Sequence, residues 1–192
     1  MNVELKKRLI TSCFLLSLLI LMFFYTFILI ISLILIALIS WIEFYGLISK
    51  IFNKDNAKNK IFRFLYKGIS LIYLSILVYY ILISRSSNTV SEIFIIYSIL
   101  ISVLSDIGGL IIGRIFKGKK LSKISPKKTI SGSIGSFLFS LFLIPFFISH
   151  LPNKSLFFLC CVTLIISFAS QAGDLFISYL KRKAKVKDTS DL

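Results

Sequence analysis

The sequence has little histidine, cysteine or acid, the side chains from which most metal and catalytic sites are built. It contains one histidine, three cysteines and eight acidic residues among 192. Cys13, Cys160 and Cys161 lie in apolar segments without the spacing of metal ligands, so we interpret them as small hydrophobic packing residues. His150 ends an apolar stretch, where an interfacial polar group is the ordinary role. A cysteine or histidine centre is therefore not predicted.

The sequence also shows no internal repeat, no soluble domain and no small-residue cleavage site after its first apolar run. That run follows Lys6, Lys7 and Arg8, and we expect it to form an uncleaved first helix. Apolar sequence, in contrast, is abundant, because 57% of the residues are hydrophobic and the mean hydropathy is +0.92. This composition predicts an all-α, polytopic integral membrane protein.

About six transmembrane helices are predicted, and they form a single transmembrane domain over residues 1–192. The predicted helices are 9–24, 27–49, 62–83, 91–113, 131–149 and 155–180. Pro145 is expected to kink the fifth helix. Gly109 and Gly113, four residues apart on the fourth helix, favour close packing against a neighbour.

The 23 basic residues alternate from loop to loop. The N-terminus and the segments 50–67, 114–128 and 181–187 hold three, six, seven and five of them, whereas the intervening loops hold only Arg85 and Lys154. By the positive-inside rule, both termini are expected in the cytoplasm. The net charge of +15 is therefore explained by membrane topology, and nucleic acid is not expected as a partner.

Three acidic residues, Glu43, Asp106 and Asp174, lie inside apolar segments. Each precedes a basic loop by seven or eight residues, which places all three roughly 10–12 Å inside the cytoplasmic boundary. Asp106 and Asp174 lie on polar helix faces and are interpreted as functional, whereas an ion pair with Lys50 explains Glu43 equally well. Two carboxylates without histidine or cysteine favour Mg²⁺, which usually serves substrate phosphates.

The loop before the fifth predicted helix reads GRIFKGKKLSKISPKKTISGSIG from residue 113. Pro126 predicts a turn, Lys127 and Lys128 follow it, and Thr129 stands where its side chain could cap the helix. The start of this helix is expected to offer free backbone N–H groups to an anion. A topology signal with lipid-headgroup contacts is the simpler interpretation of the same cations.

The chain resembles the phosphatidate cytidylyltransferase, or CDP-diacylglycerol synthase, family. The resemblance is carried by SDIGGLIIGRIFKGKKLSKISPKKTISG at 105–132 and by QAGDLFISYLKRKAKVKDTSD at 171–191. WIEFYGL at 41–47 is similar to an early segment of the family. The resemblance implies transfer of CMP from CTP to phosphatidic acid, with release of pyrophosphate and dependence on Mg²⁺.

The resemblance also implies roles for individual residues. Asp106 and Asp174 would be the metal and catalytic carboxylates, with Lys181 as a further catalytic residue. The phosphate-holding cations would be Lys127, Lys128, Lys181 and Arg182, and Lys187 and Asp188 would begin a terminal loop that completes the substrate site.

The family signature continues beyond Lys187 and Asp188 into a His-Gly-Gly segment, an Asp-Arg-x-Asp segment and a last membrane helix, so this chain is expected to lack those parts. The resemblance implies a bacterial inner membrane, with the active site facing the cytoplasm. The oligomeric state is left open, and a homodimer is one arrangement to test.

Two other functions remain open from the sequence. A CTP-dependent lipid-alcohol kinase would act on a hydroxyl group and would need a general base. An ion-coupled transporter would bind its cation at Asp106 and Asp174, and such proteins usually have inverted repeats and broken helices, neither of which is apparent in the sequence.

Overall fold

The structure, a computed structural model, describes residues 3–53, 56–87, 89–122, 124–126, 128–151 and 155–186. Within these ranges the chain is helical and contains no strand longer than a single bridge, so the all-α class is confirmed. The helices are α1 (Val3–Phe24), α2 (Thr26–Ile51), α3 (Ala57–Ser87), α4 (Thr89–Phe116), α5 (Ile130–Leu141), α6 (Ile144–Phe147) and α7 (Leu156–Lys183).

Five helical segments of the described chain are long and apolar enough to cross a membrane. They are Thr26–Ile51, Ala57–Ser86, Thr89–Phe116, Ile130–Phe147 and Leu156–Lys183. In the most apolar part of α2 only 6% of the residues are buried, so nearly all of that apolar surface is left for lipid. The first helix has a shorter apolar stretch, Cys13–Met22. The total of about six crossings and the cytoplasmic termini stay predictions.

The kink predicted at Pro145 takes the form of a two-residue turn, Phe142 and Leu143, which keeps right-handed helical backbone angles between α5 and α6. α5 ends at Leu141, and α6 starts at Ile144 with Pro145 in its first turn. Proline has no N–H to donate, and its ring clashes with the carbonyl group four residues earlier, which here belongs to Leu141. The backbone recovers one turn later, where the Ile148 N–H donates to the Ile144 carbonyl.

α4 and α5 approach each other through glycines, as the Gly109 and Gly113 spacing predicted. A Cβ atom placed on Gly109 would lie 2.7 Å from Ser136 Oγ, and one on Gly113 would lie 2.9 Å from Thr129 Oγ1. Deeper along the same contact, a Cβ on Gly108 would lie 2.5 Å from the Gly135 carbonyl oxygen. These distances leave no room for a side chain, so the two backbones are in direct contact.

α7 packs against α4 through hydroxyl groups. Tyr97 and Thr163 hydrogen-bond through their side chains at 2.5 Å, and Ser105 and Ser167 do so at 3.0 Å. All four residues are buried. The polar faces predicted for the fourth and last helices therefore do face the bundle interior.

The C-terminal end of α7 is closed by a Schellman motif. The Lys185 N–H donates to the Arg182 carbonyl and the Val186 N–H donates to the Lys181 carbonyl, both at 3.1 Å. Lys185 takes the left-handed conformation, with φ of 57°, that glycine usually provides at this position. Lys181 and Arg182 are thus held on an ordered helix end.

Candidate functional site

A cavity of about 250 Å³ lies between α4, α5, α7 and the basic loop that precedes α5. Its polar lining includes both carboxylates that the sequence singled out. The polar side chains of its lining include Asp106, Lys128, Ser133, Ser136, Gln171 and Asp174. The two aspartates lie close enough to interact electrostatically, so the structure brings together the pair that the sequence predicted to converge. Glu43, on α2, is half-buried and does not line this cavity.

The basic loop folds back on itself as a short hairpin. Lys120 and Thr129 form an antiparallel bridge, and the Leu121 N–H donates to the Lys128 carbonyl at 2.8 Å. The turn predicted at Pro126 is present, because the Lys128 N–H donates to the Ser125 carbonyl at 3.1 Å. The hairpin thereby fixes the backbone of Lys128, which lines the cavity.

Lys128 reaches across the cavity to α7. Its Nζ atom lies 2.9 Å from Oδ2 of Asp174, and the two side chains keep 30% and 56% of their surface exposed. This ion pair places one ammonium group beside the two carboxylates. The cavity therefore contains negative groups that suit a metal ion and a positive group that suits a phosphate.

Thr129 caps α5 as predicted, since its side-chain oxygen accepts a hydrogen bond from the Gly132 N–H at 3.1 Å. The expectation of free N–H groups at this helix start is only partly met. The Gly132 N–H is taken by the cap, and the Ile130 N–H donates to the Lys119 carbonyl at 2.9 Å. The hairpin and the cap satisfy these donors, so an anion would meet side chains more than open backbone.

Two residues to which the sequence gave no role join α5 to α7 at the base of the cavity. The Ser133 hydroxyl donates to Oε1 of Gln171, and the Gln171 side chain in turn lies 3.5 Å from the Ser167 hydroxyl. Below them, the Ser136 hydroxyl donates to the Ser105 carbonyl at 2.7 Å. Gln171 lies on the polar face predicted for α7, which is the signal that could have identified it.

The remaining predicted site residues are placed as follows. Lys181 is half-buried and Arg182 is exposed in the last turn of α7, and neither lines the cavity. Lys181 lies seven residues after Asp174, which is about two helical turns and roughly 10 Å along the same helix face. Lys127, Lys187 and Asp188 lie outside the described residues. The roles assigned to all five stay predictions.

The donor set of the cavity fits a hard cation. Asp106 and Asp174 offer carboxylate oxygens, and Ser133 and Gln171 offer neutral oxygens nearby. The described residues contain no cluster of three or more histidine, cysteine or acidic side chains placed to hold a metal ion. A Mg²⁺ ion is commonly held by one or two carboxylates together with substrate phosphates and water, which matches this pair.

Comparison with known proteins identifies the family. The sequence profile of the cytidylyltransferase family matches residues 2–192. Among curated relatives, the phosphatidate cytidylyltransferase of Rickettsia typhi is 34% identical over 147 residues, which cover 71% of this chain and 62% of the relative. That of Rickettsia prowazekii is 38% identical over 120 residues, or 58% of this chain and 52% of the relative.

A relative from another bacterial genus also matches. The phosphatidate cytidylyltransferase of Bacillus subtilis is 30% identical over 127 residues, which cover 65% of this chain and 47% of the relative. The chain thus spans about half the length of the curated relatives it matches. No solved structure gives a significant match. The profile match over nearly the whole chain, together with these relatives, shows that the chain belongs to the cytidylyltransferase family.

Proposed function

We propose that the protein to which this chain belongs transfers CMP from CTP to phosphatidic acid and releases pyrophosphate. The family and the names of the relatives support this reaction. The observation that carries the proposal is the cavity in which Asp106, Asp174 and Lys128 meet between apolar helices. Both substrates are polyanions and one is anchored in the bilayer, so a charged cavity bordered by membrane helices suits them together.

The proposed chemistry is a phosphoryl substitution. An oxygen of the phosphatidic acid phosphate forms a bond to the α-phosphorus of CTP, the bond from that phosphorus to the β-phosphate oxygen breaks, and pyrophosphate leaves. The attacking oxygen is already anionic, so no strong general base is required. Charge neutralisation and alignment of the two substrates should supply most of the acceleration.

The residues of the cavity have distinct roles in this proposal. Asp106 and Asp174 would hold Mg²⁺, which when bound neutralises charge on the phosphates. Lys128 would release Asp174 and bind a phosphate oxygen. Further phosphate contacts would come from Lys127, Lys181, Arg182 and Lys187, and Asp188 would help to bind the nucleotide. We place the site on the cytoplasmic face of a bacterial inner membrane.

The reaction is tested with CTP labelled at the α- or the γ-phosphate, phosphatidic acid vesicles and Mg²⁺. Transfer of CMP puts the α-label into a chloroform-soluble lipid and leaves the γ-label in pyrophosphate. A lipid-alcohol kinase would give the reverse result with a lipid alcohol as acceptor. Cation uptake into proteoliposomes without consumption of CTP would instead indicate a transporter.

Two variants of α4 test whether Asp106 belongs to the active site. Asp106→Asn should lower the transfer of the α-label by about 100-fold or more, because it removes a charge that faces the reacting phosphates. Glu92→Gln, at the opposite end of α4 and paired with Arg85, is the matched control and should keep activity close to that of the unchanged protein. Equal activity of both variants would remove Asp106 from the site.

A further inference from the structure

α2 and α3 meet at a cluster of aromatic and basic side chains that the proposed reaction does not use. The ring N–H of Trp41 donates to the Lys67 carbonyl at 3.3 Å, and the ring centroids of Trp41 and Tyr45 are 5.8 Å apart. The Lys67 ammonium group lies 3.1 Å from the centroid of the Tyr45 ring. None of these residues lines the charged cavity. The cluster therefore gives the aromatic residues of the WIEFYGL segment a setting outside the candidate site.

Lys67 lies at the edge of the membrane-spanning part of α3. Between Lys67 and Arg85 the helix has seventeen residues without a charge. The rise of an α-helix places these two cations roughly 27 Å apart, which is close to the ~30 Å thickness of the hydrocarbon layer. α3 begins at Ala57, so about its first three turns extend beyond the hydrocarbon. Because helical side chains tilt toward the N-terminus, the Lys67 side chain points toward the lipid headgroups.

The outer part of α3 carries a row of cations on one face. Lys60, Arg63 and Lys67 are three and four residues apart, so they share that face. Arg63 is close enough to Tyr45 to act on it electrostatically, so the row is turned toward the aromatic residues of α2. Lys58 is nine residues from Lys67, which at about 100° per residue places it on the opposite face of α3. Arg63 and Lys67 are half-buried, whereas Lys58 is exposed.

The two helices that form this cluster supply no acidic partner for Lys67. α3 contains no acidic residue, and Glu43 of α2 is two positions from Tyr45, so it lies on roughly the opposite face of that helix. In the part of the chain that the structure describes, no carboxylate forms an ion pair with Lys67. An ammonium group has three N–H donors, and the Tyr45 ring covers only one side of it. The other side is available to an anion from outside the chain.

Membrane topology alone does not account for this arrangement. Retention of a loop in the cytoplasm requires only that the cations be present. It does not require Lys67 to be held over a ring, which costs a long side chain its rotamer freedom. Anionic phospholipids supply phosphates at this depth, and basic pockets between membrane helices bind their headgroups. Tyr45 is 43% exposed, so such a lipid can reach the cluster from the bilayer.

We propose that Tyr45, Arg63 and Lys67 form a binding site for the phosphate of an anionic phospholipid in the leaflet that faces the basic loops. The lipid is a phosphodiester, such as phosphatidylglycerol, that the proposed reaction does not consume. The inference goes beyond the proposed function, because it holds whatever reaction the cavity performs.

Trp41 makes this site directly observable, because it is the only tryptophan of the chain. The full chain is reconstituted in bilayers that mix phosphatidylcholine with phosphatidylglycerol, and one of the two lipids carries brominated acyl chains, which quench tryptophan fluorescence on contact. The quenching curves give the ratio of the binding constants of the two lipids at Trp41. We expect a preference for phosphatidylglycerol of about fivefold or more, since each cation near the membrane surface adds about that factor.

Two variants of α3 with the same change of charge separate a binding site from general surface attraction. Lys67→Gln should lower the preference about fivefold, toward a ratio of one, because the ammonium group is lost. The probe should stay in place, since Trp41 donates to the backbone carbonyl of Lys67 and not to its side chain. Lys58→Gln, on the opposite face of α3, is the matched control and should leave the ratio unchanged.

The inference is overturned by a ratio of one in the unchanged protein. It is also overturned if Lys58→Gln and Lys67→Gln lower the ratio equally, which would indicate surface potential alone. Lys128→Met tests the position of the lipid, because a fall as large as that of Lys67→Gln would place the lipid in the cavity and remove the proposed site. The assay contains neither CTP nor phosphatidic acid, so its outcome is independent of whether the protein transfers CMP.

Discussion

Among single-residue contacts, the ion pair between Lys128 and Asp174 has the largest consequence for the binding of a metal ion and a phosphate. Both side chains keep contact with solvent, with exposed fractions of 30% and 56%. An exposed pair of this kind is worth at most about 1 kcal/mol, so either partner can be exchanged at low cost. Lys128 can therefore leave Asp174 when a phosphate enters, and Asp174 is then available to a cation.

Removing the ammonium group should change metal binding and activity in opposite directions. In nucleotide-free protein, Lys128→Met should raise the affinity for Mn²⁺, a spectroscopic substitute for Mg²⁺, by about fivefold, because roughly 1 kcal/mol of competition for Asp174 is lost. The same variant should slow CMP transfer and raise the KM for CTP. Electron paramagnetic resonance titration measures the first effect, and the label assay measures the second.

Lys120→Met is the control for Lys128→Met, since Lys120 belongs to the same hairpin but does not line the cavity. A parallel fall of Mn²⁺ affinity and activity in Lys128→Met would contradict the exchange of partners described here.

The sequence singled out the two carboxylates that line the cavity, but not the hydrogen bonds and the ion pair that connect its walls. Asp106 and Asp174 could be identified because a charge inside an apolar segment is costly and needs a reason. The cap at Thr129 could be identified because it depends on local geometry. The bonds from Lys128 to Asp174 and from Ser133 to Gln171 join residues 46 and 38 positions apart, and helix periodicity carries no information about such pairs.

At the scale of elements, the contact between α4 and α5 is the least tolerant of change. A Cβ on Gly135 would lie 2.7 Å from the Gly108 carbonyl oxygen, and one on Gly132 would lie 2.8 Å from the Gly109 carbonyl oxygen. In both cases the obstacle is backbone, which cannot rotate away as a side chain can. The spacing of these two helices is therefore set by their glycines.

Gly135→Ala should force α4 and α5 apart. Overpacking of this kind costs about 1–3 kcal/mol, so the melting temperature in detergent should fall by roughly 2–10 °C, with loss of CMP transfer because the cavity is distorted. Gly68→Ala is the control, because a Cβ on Gly68 meets nothing within 4 Å. It removes a helix-interior glycine and should keep or slightly raise the melting temperature. Equal destabilisation by both substitutions would contradict the close contact.

Helix type was more predictable from sequence than helix continuity. The apolar runs identified helices because a membrane leaves the backbone few alternatives. The sequence predicted the kink near Pro145 but not its form, a turn at Phe142 and Leu143 between α5 and α6. Whether a proline bends or breaks a helix depends on neighbours that can satisfy the freed carbonyl groups, and those neighbours come from the tertiary fold.

At the scale of the whole molecule, the charge distribution divides the structure into two sides. The hairpin with Lys128 and the end of α7 with Lys181 carry clusters of basic residues, whereas the sequence between α6 and α7 has a single lysine, Lys154. The candidate site lies between the hairpin and α7, on the basic side. The positive-inside rule predicts that this is the cytoplasmic side, where CTP would be supplied.

The orientation is tested with single cysteines in a chain whose three native cysteines are replaced by alanine. In intact cells, Ser149→Cys should react with a membrane-impermeant maleimide, whereas Ser122→Cys in the hairpin should react only after the inner membrane is opened, because the basic loops are retained in the cytoplasm. Mass-tagged gel analysis measures both. The reverse pattern of labelling would place the site outside and exclude CTP as its substrate in the cell.

The two sides of the cavity differ in how they are held in place. Backbone contact through Gly108, Gly132 and Gly135 makes α4 and α5 one stiff unit. α7 is attached to that unit through hydroxyl and amide groups, such as Ser105 with Ser167, and serine hydroxyls can turn to carbonyl groups of their own helix at little cost. Asp106 is thus carried by the pair of helices in backbone contact, and Asp174 by a helix joined to that pair through side chains, among them Leu159 in the buried apolar core. The separation of the two carboxylates is therefore set by side-chain packing and not by backbone contact.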